Sequence, residues 1–157
     1  MGTLEGRLHA DMVSAMKARD GELTTTLRMA IGALKNEKVA GKQARELTDA
    51  DEVAVLQREV RSRRDSAEAY TDGGRPELAA KELAEVEVLS RYLPAALTDD
   101  ELNTLVAEEV SAAETALGER PGMKQMGQVI KAVNARAAGR ADGGAIAARV
   151  RAALSQT

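Results

Sequence analysis

The chain has 157 residues and a net charge of −3, with no Cys, Phe or Trp, one His and two tyrosines, Tyr70 and Tyr92. That length fits one domain or two very small ones. The missing cysteines exclude disulfides, thiolate nucleophiles and Cys-based zinc sites, the single His excludes a His-rich metal site, and the scarcity of rings argues against a base-stacking platform for single-stranded nucleic acid.

An interior without large aromatics must rest on Leu, Val, Ile, Met and Ala, most of them strong helix formers. Leu4, Leu8, Met12 and Met16 recur at i+4 and predict a first helix, stopped by Asp20-Gly21. Leu23, Leu27, Ile31 and Leu34 mark a second, running out near Gly41. Thr48 reads as the cap of a third helix with acids in its first turn, carried by Val53, Leu56 and Val60 through Tyr70. After the break at 71–75, Pro76 suits the first turn of a fourth helix, filled by Leu78, Leu83, Val86, Leu89 and Leu93 and closed at Tyr92-Leu93-Pro94. Thr98 and Glu101 form a capping box for a fifth helix on Leu102, Leu105, Val106, Val110 and Leu117. A loop over 118–122 leads to a sixth helix on Met126, Ile130, Val133 and Ala137. Asp142 caps a seventh on Ile146, Val150 and Leu154. No strand-like alternation and no internal repeat is present. The expected fold is all-α in two parts: a helical N-terminal domain over 1–94 and a small three-helix domain over 95–157.

No apolar run reaches membrane-spanning length, and residues 1–20 lack a signal peptide's apolar core, so the expectation is a soluble cytoplasmic protein with no membrane partner. Catalytic parts are few. His9, beside the apolar stripe of the first helix, is the only histidine that a nucleophile–His–acid arrangement could use, and it reads as a surface residue. The clusters Asp49/Asp51/Glu52 and Asp99/Asp100/Glu101 sit at helix starts, where the macrodipole explains them. Gly41-Lys42 is no phosphate loop, because Gln43 follows and no strand precedes it. No catalytic residue, metal ligand or cofactor is therefore assigned. Arg58, Arg61, Arg63 and Arg64 lie on the third helix. Glu59–Arg63, Arg61–Asp65 and Arg64–Glu68 match at i+4 and predict a solvated, salt-bridged face; Arg58 lacks such a partner.

The C-terminal third differs. Residues 95–122 carry seven acids against Arg120, whereas 123–157 carry Lys124, Lys131, Arg136, Arg140, Arg149 and Arg151 against Asp142. Either the acidic helix and the basic pair neutralise one another, or the basic pair presents an anion-binding face. Gly127 inside a helix costs about 1 kcal/mol against Ala, which points to close helix approach or close contact with a partner's backbone. Gly139-Arg140-Ala141-Asp142-Gly143-Gly144 joins two helices and marks backbone geometry that side chains would block.

Met126-Gly127-Gln128-Val129-Ile130, Gly139-Arg140-Ala141-Asp142-Gly143, Tyr92-Leu93-Pro94, the Glu85–Leu89 stretch and Arg28-Met29 together resemble the YqeY family over nearly the full chain. The C-terminal part of that family is similar to the tail domain of GatB, the tRNA-handling subunit of the glutamine-dependent aspartyl/glutamyl-tRNA amidotransferase. The resemblance implies a helical tail that helps hold the body of a tRNA without performing chemistry. The chain has no counterpart of the GatB cradle for ATP and metal. The resemblance thus points to an accessory protein that binds tRNA or an aminoacyl-tRNA-handling enzyme. A helical protein–protein adaptor is the alternative, and a component of a glutamine-dependent carbon–nitrogen ligase a further one. The RNA-binding candidates are Lys124, Gly127, Lys131, Arg136, Gly139, Arg140, Gly143, Arg149 and Arg151, with Arg140 and Lys131 expected to lie exposed and to matter little for stability.

Overall fold

A computed structural model describes residues 2–155. Among the described residues it is helical throughout, with no strand: α1 (Thr3–Lys17), α2 (Gly21–Lys38), α3 (Asp49–Asp72), α4 (Pro76–Ser90), α5 (Asp99–Leu117), α6 (Met126–Ala137) and α7 (Gly143–Ser155). A single 3-10 turn, Met123–Gln125, leads into α6. The helices fall into two compact units, one ending at Leu93 and one starting at Pro94.

In the first unit α1 packs mainly on α2 and α3 mainly on α4. Leu8, Leu27, Leu34, Leu56 and Leu89 are fully buried and form the centre of the core. The Thr48 hydroxyl accepts from the Asp51 N–H at 3.1 Å while the Asp51 carboxylate accepts from the Thr48 N–H at 3.0 Å, which fixes the start of α3. Arg45 also reaches Asp51, at 2.8 Å. The Thr48 N–H first, and then the Arg45 guanidinium, hold the Asp51 carboxyl down at about 2.

Two residues of the expected apolar stripes of this unit are exposed. Leu83 is 52% exposed, because α4 packs chiefly on α3 and only the stripe Ala79, Val86 and Leu89 is covered. Met16 is 51% exposed, and Ala15 takes the covered position at the end of α1. Arg63 departs in the opposite sense. It is 5% exposed rather than solvated, donating from Nε to Glu85 at 2.8 Å and from a terminal nitrogen to the Glu59 carbonyl at 3.2 Å. Its i+4 partner Glu59 is a secondary contact at 3.5 Å. Arg58, without a partner on its own helix, pairs with Glu37 of α2 at 2.7 Å.

A second polar cluster ties three helices of this unit together. Glu52 of α3 is 1% exposed and accepts from the Glu5 N–H in the first turn of α1. The Glu5 carboxylate is 2.7 Å from the Lys38 ammonium of α2, and that bond raises the lysine's pKa. His9 lies 4.0 Å from the same carboxylate, on the partly exposed edge of α1. The Tyr92 hydroxyl donates to Asp11, and Arg7 stacks 5.1 Å from the ring centroid, so the turn that follows α4 is fastened to α1. Burial and the Asp11 carboxylate push the phenol up to about 12.

In the second unit α5, α6 and α7 surround Leu102, Val106, Val129, Val133, Ile146 and Val150. Thr98 and Glu101 cap α5 reciprocally, each bond 3.1 Å long. Leu117, the last residue of α5, is half-exposed instead of joining this core.

Candidate nucleic-acid interface

The Gly-Arg-Ala-Asp-Gly segment turns the chain from α6 into α7 in few residues. Ala138 and Gly139 are both left-handed, with φ of 49° and 81°, which ends α6 abruptly. Glycine takes such a φ without strain, so position 139 is fixed by backbone geometry. The Arg140 N–H then donates to the Ala137 carbonyl at 2.9 Å. Asp142 opens α7: its carboxylate accepts from the Ala145 N–H at 3.2 Å, and its carbonyl accepts from the Ile146 N–H at 3.0 Å. A Cβ on Gly144 would lie 2.9 Å from the Asp142 carboxylate, so this glycine makes room for the cap. A Cβ on Gly143 would meet no atom within 4 Å.

Arg140 does more than present a charge. Its Nε donates to the Ala95 carbonyl at 2.9 Å, its own carbonyl accepts from the Leu97 N–H at 2.8 Å, and its guanidinium is 3.9 Å from Glu101. Both its backbone and its side chain clasp the segment that enters α5, so its dispensability for folding does not follow from exposure. Arg136 pairs with Glu108 at 2.7 Å and Glu109 at 3.2 Å, and these bonds raise its pKa, Glu108 foremost. Arg149 pairs with Asp99 at 2.8 Å and donates to the Asn103 amide oxygen. The acidic helix and the basic pair thus neutralise one another at three of the six cations.

The other three behave differently. Lys124 on the 3-10 turn, Lys131 on α6 and Arg151 on α7 are exposed and form no ion pair among the described residues. Gly127 lies three residues after Lys124 and four before Lys131, in the first turn of α6. It is exposed, and a Cβ there would meet nothing within 4 Å. Within its own unit, close approach of another helix, one of the two returns expected for this glycine, is therefore not realised.

Elsewhere among the described residues, no three His, Cys, Asp or Glu side chains gather as a metal site, and no helix is long and apolar enough to cross a membrane. A shallow, open depression on α3 is lined by Arg58, Arg61, Ser62, Asp65, Ser66 and Ala69. Sequence reasoning missed the buried roles of Glu52 and Arg63. The i+4 spacing around Arg63 fits a surface pair equally well, and nothing near Glu52 signals that its carboxylate reaches another helix.

These features define a two-unit helical protein whose C-terminal unit pairs Arg136, Arg140 and Arg149 with acids of α5 and leaves Lys124, Lys131 and Arg151 exposed without an ion-pair partner among the described residues. The Yqey-like protein family matches residues 5–154, and the chain belongs to the YqeY family. It is similar to altered inheritance of mitochondria protein 41, mitochondrial, of Saccharomyces cerevisiae strain YJM789. The two are 30% identical over 117 residues, which cover 72% of this chain and 62% of the yeast protein. This match therefore spans less than two thirds of that relative's length. The protein of the same name from Pyrenophora tritici-repentis is 28% identical over 134 residues, covering 83% of this chain and 71% of that one.

Proposed function

We propose that this chain is a non-catalytic accessory protein of the cytoplasm that binds tRNA, or tRNA held on an aminoacyl-tRNA-handling enzyme. Membership of the YqeY family and the similarity of that family's C-terminal part to the GatB tail support the reading. The observation that carries it is the division of the six cations. Arg136, Arg140 and Arg149 are spent on Glu108, Glu101 and Asp99, while Lys124, Lys131 and Arg151 stay exposed and unpaired among the described residues. Exposed cations without an ion-pair partner suit phosphate contacts, which position an RNA without reading its sequence. In this reading Arg136, Arg140 and Arg149 shape the surface instead of touching the ligand, and Gly139 serves the turn.

The test is a tRNA titration of the full chain at several salt concentrations, repeated with Lys124, Lys131 and Arg151 each replaced by Gln. Removing one cation from a phosphate is expected to flatten the log–log salt slope by roughly 0.7–0.9. Absence of saturable tRNA binding at physiological salt would remove the RNA reading. The exposed Leu83 and the shallow face of α3 favour a protein adaptor as the second reading. In that case RNA binding is absent, and the binding of a protein partner depends little on salt.

A further inference from the structure

We infer that Lys124, Gly127 and Lys131 form a seat on which the sugar–phosphate backbone of double-helical RNA lies directly against α6, with Gly127 at the point of closest approach. The inference rests on the RNA-binding reading above and names the form of RNA and the contact point.

Among the described residues of its own unit, nothing requires Gly127 to be glycine. Its φ is not positive, and a Cβ would stand in open space. Glycine is the poorest helix former after proline, so alanine would serve the fold at least as well. What glycine provides here is a bare stretch of helix surface. It is flanked at i−3 and i+4 by two exposed lysines with no anionic partner among the described residues. An ammonium group is a compact point charge suited to a phosphate, and two of them astride a gap in the side-chain layer fit a polyanionic strand. A methyl group at position 127 would hold that strand off the helix.

The ligand is a duplex because of what the unit lacks and what it has. Both tyrosines, Tyr70 and Tyr92, precede residue 94, and the chain has no Phe or Trp, so the second unit has no ring on which an unpaired base could stack. Single-stranded RNA is held by such stacking, whereas duplex RNA is held through phosphates and 2′-hydroxyls. Asn134, exposed on α6 one turn beyond Lys131, carries both a donor and an acceptor for a 2′-hydroxyl.

The experiment uses the full chain and fluorescence anisotropy with three labelled probes. These are an RNA stem of about 16 base pairs, the DNA duplex of the same sequence, and one RNA strand alone. The variants are Gly127→Ala, Lys124→Gln with Lys131→Gln, and Gly32→Ala as the same change at an open position on α2. The RNA stem is expected to bind at least about tenfold more tightly than either other probe. Gly127→Ala is expected to weaken that binding about tenfold while its melting temperature stays level or rises. Gly32→Ala should leave binding unchanged. Wild-type affinity retained within about twofold by Gly127→Ala, or a single strand that binds as well as the stem, would overturn the inference while leaving tRNA binding intact. Failure of tRNA and stem alike, with polyglutamate or a protein bound instead, would overturn both readings.

Discussion

The backbone N–H of Glu5 donates to the carboxylate of Glu52 at 2.9 Å, so a residue of α3 caps the first turn of α1. The other carboxylate oxygen of Glu52 is buried with no hydrogen-bond partner among the described residues, and a Cβ on Gly2 would fall within 2.6 Å of both oxygens. The carboxylate thus occupies the space that a side chain at position 2 would need. Glu52→Ala should cost about 1–2 kcal/mol through loss of the cap, and Gly2→Ala should also destabilise by displacing a buried group. Urea denaturation measures both. A neutral Gly2→Ala would mean that the carboxylate moves aside freely.

Arg63 supplies a second stability test. Removing one partner of a buried ion pair strands the other, at a cost of about 3–5 kcal/mol when burial is complete. Glu85 keeps 16% of its side-chain exposure, so Arg63→Ala is expected at the lower end, about 3 kcal/mol. Arg63→Met together with Glu85→Leu should recover most of that loss, since apolar residues of similar volume replace such pairs well. A double variant no more stable than Arg63→Ala would contradict this role for the pair.

Acid sensitivity follows from the α3 cap. The Asp51 carboxyl titrates at about 2 in the folded chain, against 3.8 ordinarily. The folded state therefore releases this proton more readily than the unfolded state, and the stabilisation is complete above pH 4. It is lost as pH falls from about 4 towards 2. Asp51→Asn should flatten that part of the stability–pH curve, as followed by helical circular dichroism. An unchanged acid limb in the variant would exclude Asp51 as its source.

Arg140 and Lys131 should separate folding from binding. Arg140→Ala breaks the bonds to Ala95 and Glu101, and its partial exposure sets the expected loss at about 1 kcal/mol. Lys131→Gln removes no ion pair among the described residues and should stay within about 0.5 kcal/mol of wild type, with its effect confined to RNA affinity. Equal melting temperatures for the two variants would remove the clasp.

The chain alone is expected to bind no ATP and to hydrolyse no glutamine. The motivation is chemical: Gly41-Lys42 lacks the remainder of a phosphate loop, and the only polar His9 contact among the described residues is with the Glu5 carboxylate. Calorimetry with ATP and a glutaminase assay on the pure protein check both. Saturable ATP binding or glutaminase turnover would count for the ligase-component reading.

The helices were legible because two local signals coincide in most of them, an apolar stripe and a capping residue. Thr48, Thr98 and Asp142 each mark a start that the hydrogen bonds bear out. Long-range choices left no such trace. Whether Arg63 faces water or Glu85 depends on a helix 22 residues away. Likewise, the balance of charge between residues 95–122 and 123–157 foretells that bridges can form, but only packing decides that Arg149 meets Asp99 while Lys131 pairs with none of the described residues. Leu83 and Met16 fit the helical period and still lie outside, because period reports which face is apolar and not how wide a stripe the neighbouring helix covers.

Arg140 has a consequence for modular reuse. Its grip on Ala95 and Leu97 makes the residues ahead of the Thr98 cap part of the tail's own structure. A graft of this unit onto another protein must therefore carry its lead-in from Ala95. A fusion joined at Thr98 would keep the helices intact yet leave the Arg140 guanidinium and carbonyl with no chain to hold, and the junction itself would become the weakest point of the chimera.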